Sequence, residues 1–425
     1  MIPPPRAFAC RALLALLIVA CIPSLFAADR DGNDHLPQQG TEQWRDDLRV
    51  FAREMPKCHK NAFHAVSEQD FASAVETLDR RIPTLGRPEI VAGFQQLAAA
   101  IGDGHTFLET GRLYRTFPLE LFWFGDELRV IAADTAYRRA LGTRLVKVGE
   151  VDIAEIRRRL QPLVPQAENA WYVLHKSAEV ITQAEALASL QVLPSTAEGM
   201  FTFEADGGDR FTLRVASTAP ESRKPKQVLM PAPLHRHRPA ETFWFDELPG
   251  STVYANFRTY EDIERHAAEL LEFLRARKAQ RLVIDMRHNG GGNYTLVRQH
   301  LMYKLQMMPA LNRPGGLYVV TGRGTFSAAM TNVTDFRRET DAILVGEPTG
   351  ARPNGYQERG GFALPHSGLQ VSCSTLRYRF QPESDDPPAV MPDRRIDPEW
   401  NLFKAGRDPV LEWIQAQPMT VPPLP

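Results

Sequence analysis

The stretch Arg281–Asn293, RLVIDMRHNGGGN, constrains the fold most, because a short apolar strand runs directly into three consecutive glycines. The run Leu282–Ile284 has β-branched members and predicts a strand that is buried on both faces. Gly290–Gly292 follow within a few residues. Glycine has no Cβ, so its backbone N–H groups can point outward and bind an oxyanion or a phosphate. A run of glycines is also common in plain turns, so the stretch alone predicts only a candidate anion-binding loop.

A second stretch, Leu317–Met330, reads LYVVTGRGTFSAAM and predicts a strand, a glycine-containing turn and a helix that Ser327 opens. The first N–H groups of a helix have no partner inside it, and the positive end of its dipole favours a developing oxyanion. Ser327 is therefore a candidate nucleophile. The same position also suits a serine that caps the helix, and the sequence leaves both interpretations open.

The two stretches follow neighbouring strands of one predicted sheet. Loops at the carboxyl ends of such strands meet in one crevice, so we expect the glycine loop and Ser327 to face a common substrate carbonyl. The N–H of Gly290 or Gly291, together with that of Ala328, would then form the oxyanion hole.

The spacing of apolar residues divides the rest of the chain into helical and β-rich segments. From Phe243 onward, strands and helices alternate, which predicts an α/β domain with crossover connections. Gly361–Leu364 and Gln370–Ser374 are expected to extend its sheet. Thr41–Ala100 is patterned as helices, and residues 111–220 are mainly β-patterned. The Pro-rich, basic segment Ala219–Pro239 is predicted to be a solvated linker, an interpretation preferred to a metal site at its two histidines.

We therefore expect five segments: a signal peptide at 1–28, a helical domain at 29–110, a β-rich region with a helix at 111–218, a linker at 219–242 and a catalytic domain at 243–425. The signal is predicted from basic residues before the apolar run Ala12–Ile22, which is too short to span a bilayer. The protein is expected to be exported, to the periplasm or the extracellular space. If Cys21 were lipidated instead, it would be anchored to a membrane.

Charge and cysteine content narrow the partners and cofactors. The formal net charge of −1 favours neither nucleic acid nor an anionic membrane surface as a partner. Cys58 and Cys373 are the only cysteines beyond the signal segment. One disulfide between them is possible, but two cysteines so distant in sequence give no framework pattern, and we expect free, partly buried thiols. No metal-binding spacing is present in the sequence, so no metal or other cofactor is expected. The oligomeric state is not predicted.

Four motifs together resemble a known family. DMRHNGGG, TFSAAM, GEPTG with the following Pro353-Asn354, and GDGHT near residue 105 are similar to the serine peptidases of the tail-specific protease and tricorn-core superfamily. The resemblance covers nearly the whole chain after the signal. It implies an α/β fold with a crotonase/ClpP-like ββα catalytic core, which joins the helical N-terminal domain already predicted from the pattern. The β-rich region with one helix at 111–218 is compatible, by its topology, with a PDZ-like module.

The resemblance also implies the catalytic groups. In the tail-specific branch a lysine activates the serine, but the matching run here contains only Arg352, whose guanidinium stays protonated. The tricorn-like branch uses a histidine, and His105 in GDGHT matches it, with His288 in reserve. By its spacing, Asp386 is the expected acidic partner.

Three further residues complete the set of site predictions. Glu383 and Asp385 are alternatives to Asp386, and Thr106 is a hydroxyl that could link the acid to the imidazole.

The sequence thus predicts an exported serine peptidase with a peptide or protein substrate, acting through an acyl-enzyme formed on Ser327. The alternative is a non-catalytic binder of an apolar ligand or peptide, because retinoid-binding proteins of the vertebrate eye resemble the same superfamily and fold alone does not separate the two uses.

Overall fold

A computed structural model describes residues 36–165, 169–382 and 384–419. The predicted signal segment with Cys21, and the alternative acid Glu383, lie outside these residues. Within them, no helix has the combination of length and hydropathy that crossing a bilayer requires.

The N-terminal part is helical, as its pattern predicts. Ser67 begins the second helix as expected, since its hydroxyl accepts the Asp70 N–H at 3.0 Å. A loop then leads into a short strand. The elements are α1 (Thr41–Cys58), α2 (Glu68–Arg81), α3 (Arg87–Ala99) and β1 (Phe107–Leu108), with a 3₁₀ turn at Ile82–Thr84.

The middle part is built on an antiparallel sheet in the order β2-β3-β4-β6-β7, with β5 paired to β4 and β8 paired to β3. Its helices pack with the N-terminal helices in one apolar core. The elements are β2 (Leu119–Phe124), β3 (Glu127–Ala133), β4 (Arg144–Val148), β5 (Val151–Asp152), α4 (Ile153–Leu160), α5 (Ala170–Val180), α6 (Ala184–Ser189), β6 (Glu198–Glu204), β7 (Arg210–Ala216) and β8 (Gln227–Val228), with 3₁₀ turns at Thr135–Ala140, Gln161–Leu163, Pro220–Ser222 and Leu234–Arg236.

The C-terminal part contains a six-stranded sheet in the order β16-β13-β12-β11-β10-β9, parallel except for β9. Helices cover both of its faces. The elements are β9 (Phe243–Leu248), β10 (Thr252–Phe257), α7 (Ile263–Ala276), β11 (Arg281–Asp285), α8 (Tyr294–Val297), a π-helical turn at Arg298–Met302, α9 (Tyr303–Gln306), β12 (Leu317–Thr321), α10 (Ala328–Glu339), β13 (Ile343–Gly346), β14 (Asn354–Ala363), β15 (Gln370–Arg379), β16 (Arg394–Arg395), α11 (Trp400–Lys404) and α12 (Pro409–Ala416).

The central strand β11 has the two-sided burial that its apolar run predicts. Leu282 and Ile284 pack with α7 and α10, whereas Val283 points to the other face and packs with α12. Complete burial of such a side chain contributes about 1.5–3 kcal/mol. The prediction of an α/β fold with a helical N-terminal region and a β-rich middle region is confirmed.

Two expectations about local structure are wrong. Strands β14 and β15 do not extend the six-stranded sheet; they form a separate three-stranded sheet with β1, because β1 pairs with β15 over Phe107–Leu108. The segment Ala219–Pro239 is not simply solvated, since β8 pairs with β3 and His235 is buried against Asp408 at 3.0 Å.

Candidate active site

Ser327 stands at the first turn of α10, at the carboxyl end of β12, in a backbone conformation that residues other than glycine rarely adopt. Its φ is 50° and its ψ is −127°. Its side chain makes no capping hydrogen bond to the helix, which removes the interpretation of Ser327 as an ordinary cap. Such strained backbone persists only where the surroundings impose it, and it is concentrated at functional sites.

His105 reaches Ser327 from the other end of the chain. The His105 Nε2 lies 3.0 Å from the Ser327 Oγ, across 222 residues of sequence. The Phe326 ring stacks on the imidazole with centroids 4.8 Å apart and planes at 26°. Both side chains are half-buried, so the pair is accessible from solvent. The two predicted residues are therefore within proton-transfer distance of each other.

Asp103 holds the turn that carries His105. One carboxylate oxygen accepts the His105 backbone N–H at 2.9 Å and the Ser374 hydroxyl at 2.7 Å, and the other lies 2.8 Å from the His59 Nε2. Burial alone would raise the pKa of Asp103, but hydrogen bonds from His59, Ser374 and Thr106 outweigh it and keep this pKa below its ordinary value. Asp103 is thus an ionised anchor for the loop.

Strand β15 supports the same loop from the C-terminal part of the chain. The Ser372 hydroxyl donates to the His105 carbonyl at 2.8 Å, and Ser374 binds Asp103 as described above. Between them, Cys373 forms a disulfide with Cys58 at the end of α1, with Cα atoms 6.1 Å apart. The expectation of free thiols is therefore wrong; 315 residues separate the two cysteines, and no sequence pattern connects them.

The glycine loop packs directly on the serine. At Gly291, where φ is +110°, a Cβ would lie 2.7 Å from the Ser327 Cβ and 3.0 Å from the Ala328 nitrogen. A side chain would collide there, so the close approach requires glycine. A Cβ at Gly290 would meet nothing within 4 Å.

The predicted oxyanion donors differ in whether their N–H groups are free. The Gly291 N–H donates to the Asn289 side chain at 2.9 Å. The N–H groups of Gly290 and Ala328 donate to no acceptor among the described residues. Gly291 therefore shapes the loop, whereas Gly290 and Ala328 present the open donors.

Burial sets the protonation state of His105. It lowers the pKa of the imidazole below its ordinary value; Asp103 and Glu358 oppose the shift by their negative charge, and the Tyr356 backbone opposes it by hydrogen bonding. The ring is therefore neutral near pH 7, as a general base requires.

The structure does not bring the predicted acid to His105. The Asp386 carboxylate pairs with the Arg352 guanidinium at 2.6 Å, and the adjacent Asp385 is exposed. The Thr106 hydroxyl contacts Asp103 and the Ser374 N–H, with no hydrogen bond to the imidazole.

His288, the reserve base, lies away from Ser327. The centroid of its ring lies 5.3 Å from that of His235, with the two planes tilted by 31°, and His288 lines a cavity to which neither Ser327 nor His105 contributes.

Two residues of the site were not singled out from the sequence. Asp103 was detectable, because an aspartate between two glycines commonly binds the backbone two residues later, as it does at His105. Asn289 joins three segments: its amide donates to the Phe257 carbonyl, its side-chain oxygen accepts from Gly291 and its carbonyl accepts from the Phe326 N–H. Nothing local in the sequence indicates that last contact.

Taken together, a hydroxyl and a neutral imidazole lie within hydrogen-bond distance of each other, with the open Ala328 N–H next to the hydroxyl in the chain and the glycine loop packed against it, which suits nucleophilic attack on a carbonyl. Over the described ranges, no cluster of three or more histidine, cysteine or acidic side chains is arranged to hold a metal ion.

Comparison with solved structures assigns the fold. The chain is similar to mature CPAF complexed with lactacystin, with a TM-score of 0.63 and 12% identity over 88% of this chain and 97% of that one. A second structure of mature CPAF gives a TM-score of 0.61 at 12% identity, over 88% of this chain and 96% of the other.

A weaker likeness is to a photosystem II D1 C-terminal processing protease, at a TM-score of 0.44 and 16% identity, over 86% and 98% of the two chains. No protein-family model and no curated protein matches the sequence. At 12% identity, the likeness to the two CPAF structures establishes the fold alone.

Proposed function

We propose that this protein is an exported serine peptidase in which Ser327 is the nucleophile and His105 the general base. One observation carries the proposal: the 3.0 Å approach of the His105 Nε2 to a Ser327 hydroxyl held in strained backbone at a helix N-terminus. The catalytic roles and the export are our inference from this geometry and from the sequence.

The reaction follows from the positions of the groups. His105 takes the proton of the Ser327 hydroxyl while the oxygen attacks a peptide carbonyl. The N–H groups of Gly290 and Ala328 bind the resulting oxyanion. His105 then gives its proton to the leaving amine, and water attacks the acyl-enzyme by the same route to release the acid.

The positive charge on His105 during turnover needs a negative partner. Asp103 and Glu358 are the carboxylates whose charge raises the pKa of His105, and Asp386 is not among the principal contributors. Asp103 already has both oxygens bound by other groups, whereas Glu358 is exposed and accepts the Tyr378 hydroxyl at 2.8 Å. We therefore assign stabilisation of the imidazolium to these two carboxylates in place of Asp386.

A fluorophosphonate probe tests the assignment, because it forms a covalent bond only with an activated serine. We expect the intact protein to be labelled, and Ser327→Ala to lose labelling and peptide hydrolysis while keeping its unfolding temperature. Ser67→Ala is the matched control: Ser67 is a true helix cap, so the change should lower stability by about 1 kcal/mol and leave labelling intact. Full hydrolysis by Ser327→Ala would refute the proposal, and absent labelling of folded protein would favour the non-catalytic binder.

A further inference from the structure

Helix α5 of the middle part contacts the candidate active site through stacked aromatic rings. The imidazole of His105 lies against the ring of Phe326, with centroids 4.8 Å apart. The ring of Tyr172, in the first turn of α5, lies against the same Phe326 ring, with centroids 4.4 Å apart and planes at 19°. Both Phe326 and Tyr172 are buried. A side chain of the middle part therefore supports the ring that contacts the proposed base.

Tyr172 belongs to a different apolar core from the rest of its helix. Further along α5, Ala178 and Val180 pack in the core that the N-terminal and middle parts share. Tyr172 instead packs in the core of the six-stranded sheet, and of the described residues it is the only one before Phe243 in that core. Its position is therefore not explained by the packing of the middle part alone.

Asn169 attaches the first turn of α5 to the C-terminal part of the chain. Its side-chain oxygen accepts the Tyr172 N–H at 3.0 Å and so caps the helix. Its amide nitrogen lies 3.1 Å from the carbonyl oxygens of Thr349 and Gly350 and 2.9 Å from that of Pro388. One side chain thus begins the helix that carries Tyr172 and binds it to two loops of the other part.

The glycine that ends the GEPTG motif makes room for Tyr172. A Cβ at Gly350 would lie 2.9 Å from the Tyr172 Cδ2 and 2.4 Å from the carbonyl oxygen of Arg323, four residues before Ser327. A side chain there would displace the Tyr172 ring or the turn that leads to Ser327. This motif therefore has a packing role at the site that its sequence alone did not show.

We propose that Tyr172 is a positioning residue for His105, which acts by holding the Phe326 ring against the imidazole, and that Asn169 keeps Tyr172 in place. The proposal rests on the proposed function, in which His105 is the base. In a close-packed site the imidazole can turn only if Phe326 moves, and Tyr172 blocks that movement. The stacked rings thus keep the Nε2 directed at the Ser327 Oγ, 3.0 Å away, and exclude water from the face of the imidazole that they cover.

The first test is kinetic. Tyr172→Ala leaves a space into which Phe326 can move, so we expect kcat/KM for peptide hydrolysis to fall by about 30-fold, somewhat less than the cost of misplacing a reacting group by about 1 Å. The loss should appear in kcat rather than KM, because misalignment of the base affects the chemical step. Tyr172→Phe keeps the ring and should stay within about threefold of the wild type. Equal losses in the two variants overturn the proposal.

The second test measures the imidazole itself. Burial lowers the pKa of His105, so movement of Phe326, which admits water, should raise this pKa toward the ordinary value of about 6.5. A histidine NMR titration of the full chain carrying Ser327→Ala measures it without turnover. The charged groups that face the imidazole stay the same in every variant, namely Asp103 on its own loop and Glu358 and Arg359 of β14. A rise in Tyr172→Ala but not in Tyr172→Phe supports the proposal, and an unchanged pKa in Tyr172→Ala overturns it.

The third test asks whether Tyr172 acts through Phe326. In a chain that carries Phe326→Leu the intermediate ring is already absent, so adding Tyr172→Ala should cost little more activity. Additive losses overturn the proposal. Tyr137→Ala is the matched control: Tyr137 is a half-buried tyrosine of the middle part whose hydroxyl accepts the Ala216 N–H at 2.9 Å. It should lower stability and leave both kcat/KM and the pKa of His105 unchanged.

Two further variants guard against misfolding. If Tyr172→Ala does not fold, Tyr172→Leu fills most of the space without a ring, and an unchanged pKa of His105 in that variant overturns the proposal. Asn169→Ser keeps a helix cap but loses the contacts to the three carbonyls. We expect a smaller rise in the pKa of His105, and no rise overturns the role of Asn169.

Failure of this proposal differs from failure of the proposed function. Absence of fluorophosphonate labelling of the folded wild-type protein refutes the peptidase, and the NMR titration then still decides whether Tyr172 acts on His105. Labelling of the wild type at the same rate as Tyr172→Ala, with the same pKa of His105 in both, refutes the positioning role alone.

Discussion

The contact between Gly291 and the nucleophile makes Gly291→Ala a sharp test of the site. The new Cβ would lie 2.7 Å from the Ser327 Cβ and 3.0 Å from both the Ala328 nitrogen and the Phe326 carbonyl oxygen. Real Cβ atoms do not approach side-chain carbons this closely, so the loop or the serine must move. The φ of +110° adds a backbone cost of about 1–3 kcal/mol for any residue with a Cβ.

On the proposed function, the displacement acts directly on catalysis, because the atoms that move belong to the proposed nucleophile Ser327 and to the proposed oxyanion donor Ala328. A shift of about 1 Å in a reacting group lowers a rate by about 100-fold. We therefore expect kcat/KM for peptide hydrolysis to fall by about two orders of magnitude in Gly291→Ala, and fluorophosphonate labelling to slow by a similar factor. Thermal unfolding of the variant separates this effect from global destabilisation.

Gly290→Ala is the matched control. It also adds one methyl group and keeps the N–H donor, but its Cβ meets nothing within 4 Å and its φ is not in the left-handed region. We expect kcat/KM within about threefold of the wild type, as for a surface change of little energetic consequence. If the two variants have the same activity, the close packing of the glycine loop on Ser327 does not matter for catalysis, and the reasoning fails.

Two further predictions concern the base and the disulfide. Burial lowers the pKa of His105, and a general base works only when deprotonated. We therefore expect kcat/KM to fall with decreasing pH through a midpoint below the ordinary histidine pKa of about 6.5. A midpoint above that value in a pH–rate profile would contradict the burial argument. The double variant Cys58→Ser/Cys373→Ser should lose about 2–5 kcal/mol in the free energy of unfolding, since the disulfide closes a loop of 315 residues. In urea unfolding, the wild type with reductant should have the same free energy of unfolding as the double variant. If reductant does not change the free energy of unfolding of the wild type, that result argues against the disulfide.

The sequence predicts the central strands and the pairing of Ser327 with His105 because those signals are local or chemically specific. The apolar run at Leu282–Ile284 determines a buried strand wherever it lies in the fold. The sequence leaves two roles for Ser327, a nucleophile or a helix cap. The choice between them depends on the backbone conformation of Ser327, with a φ of 50°, which the surrounding loops impose. His105 was placed through a family resemblance, and the imidazole does lie beside Ser327.

The remaining site features depend on long-range pairing that no local pattern records. Spacing pointed to Asp386 as the acid, but its carboxylate pairs with Arg352 instead, because the conformation of a Pro-rich loop is decided by what it packs against. The pairing of β15 with β1 could not be predicted from the sequence either, since a strand's hydrophobic pattern does not identify its partner strand. The Cys58–Cys373 disulfide depends in the same way on β15 lying beside the end of α1, where the Lys60 N–H donates to the Ser374 carbonyl at 2.8 Å.

The support of His105 by Ser372 and Ser374 has a consequence for the timing of activity. During synthesis the imidazole emerges long before the strand that fixes its loop, and the nucleophile emerges between them. A growing chain therefore contains both reactive groups before it can align them. If Ser327 and His105 act as proposed, the protein becomes able to hydrolyse a peptide only after β15 has been made and has paired with the loop of His105.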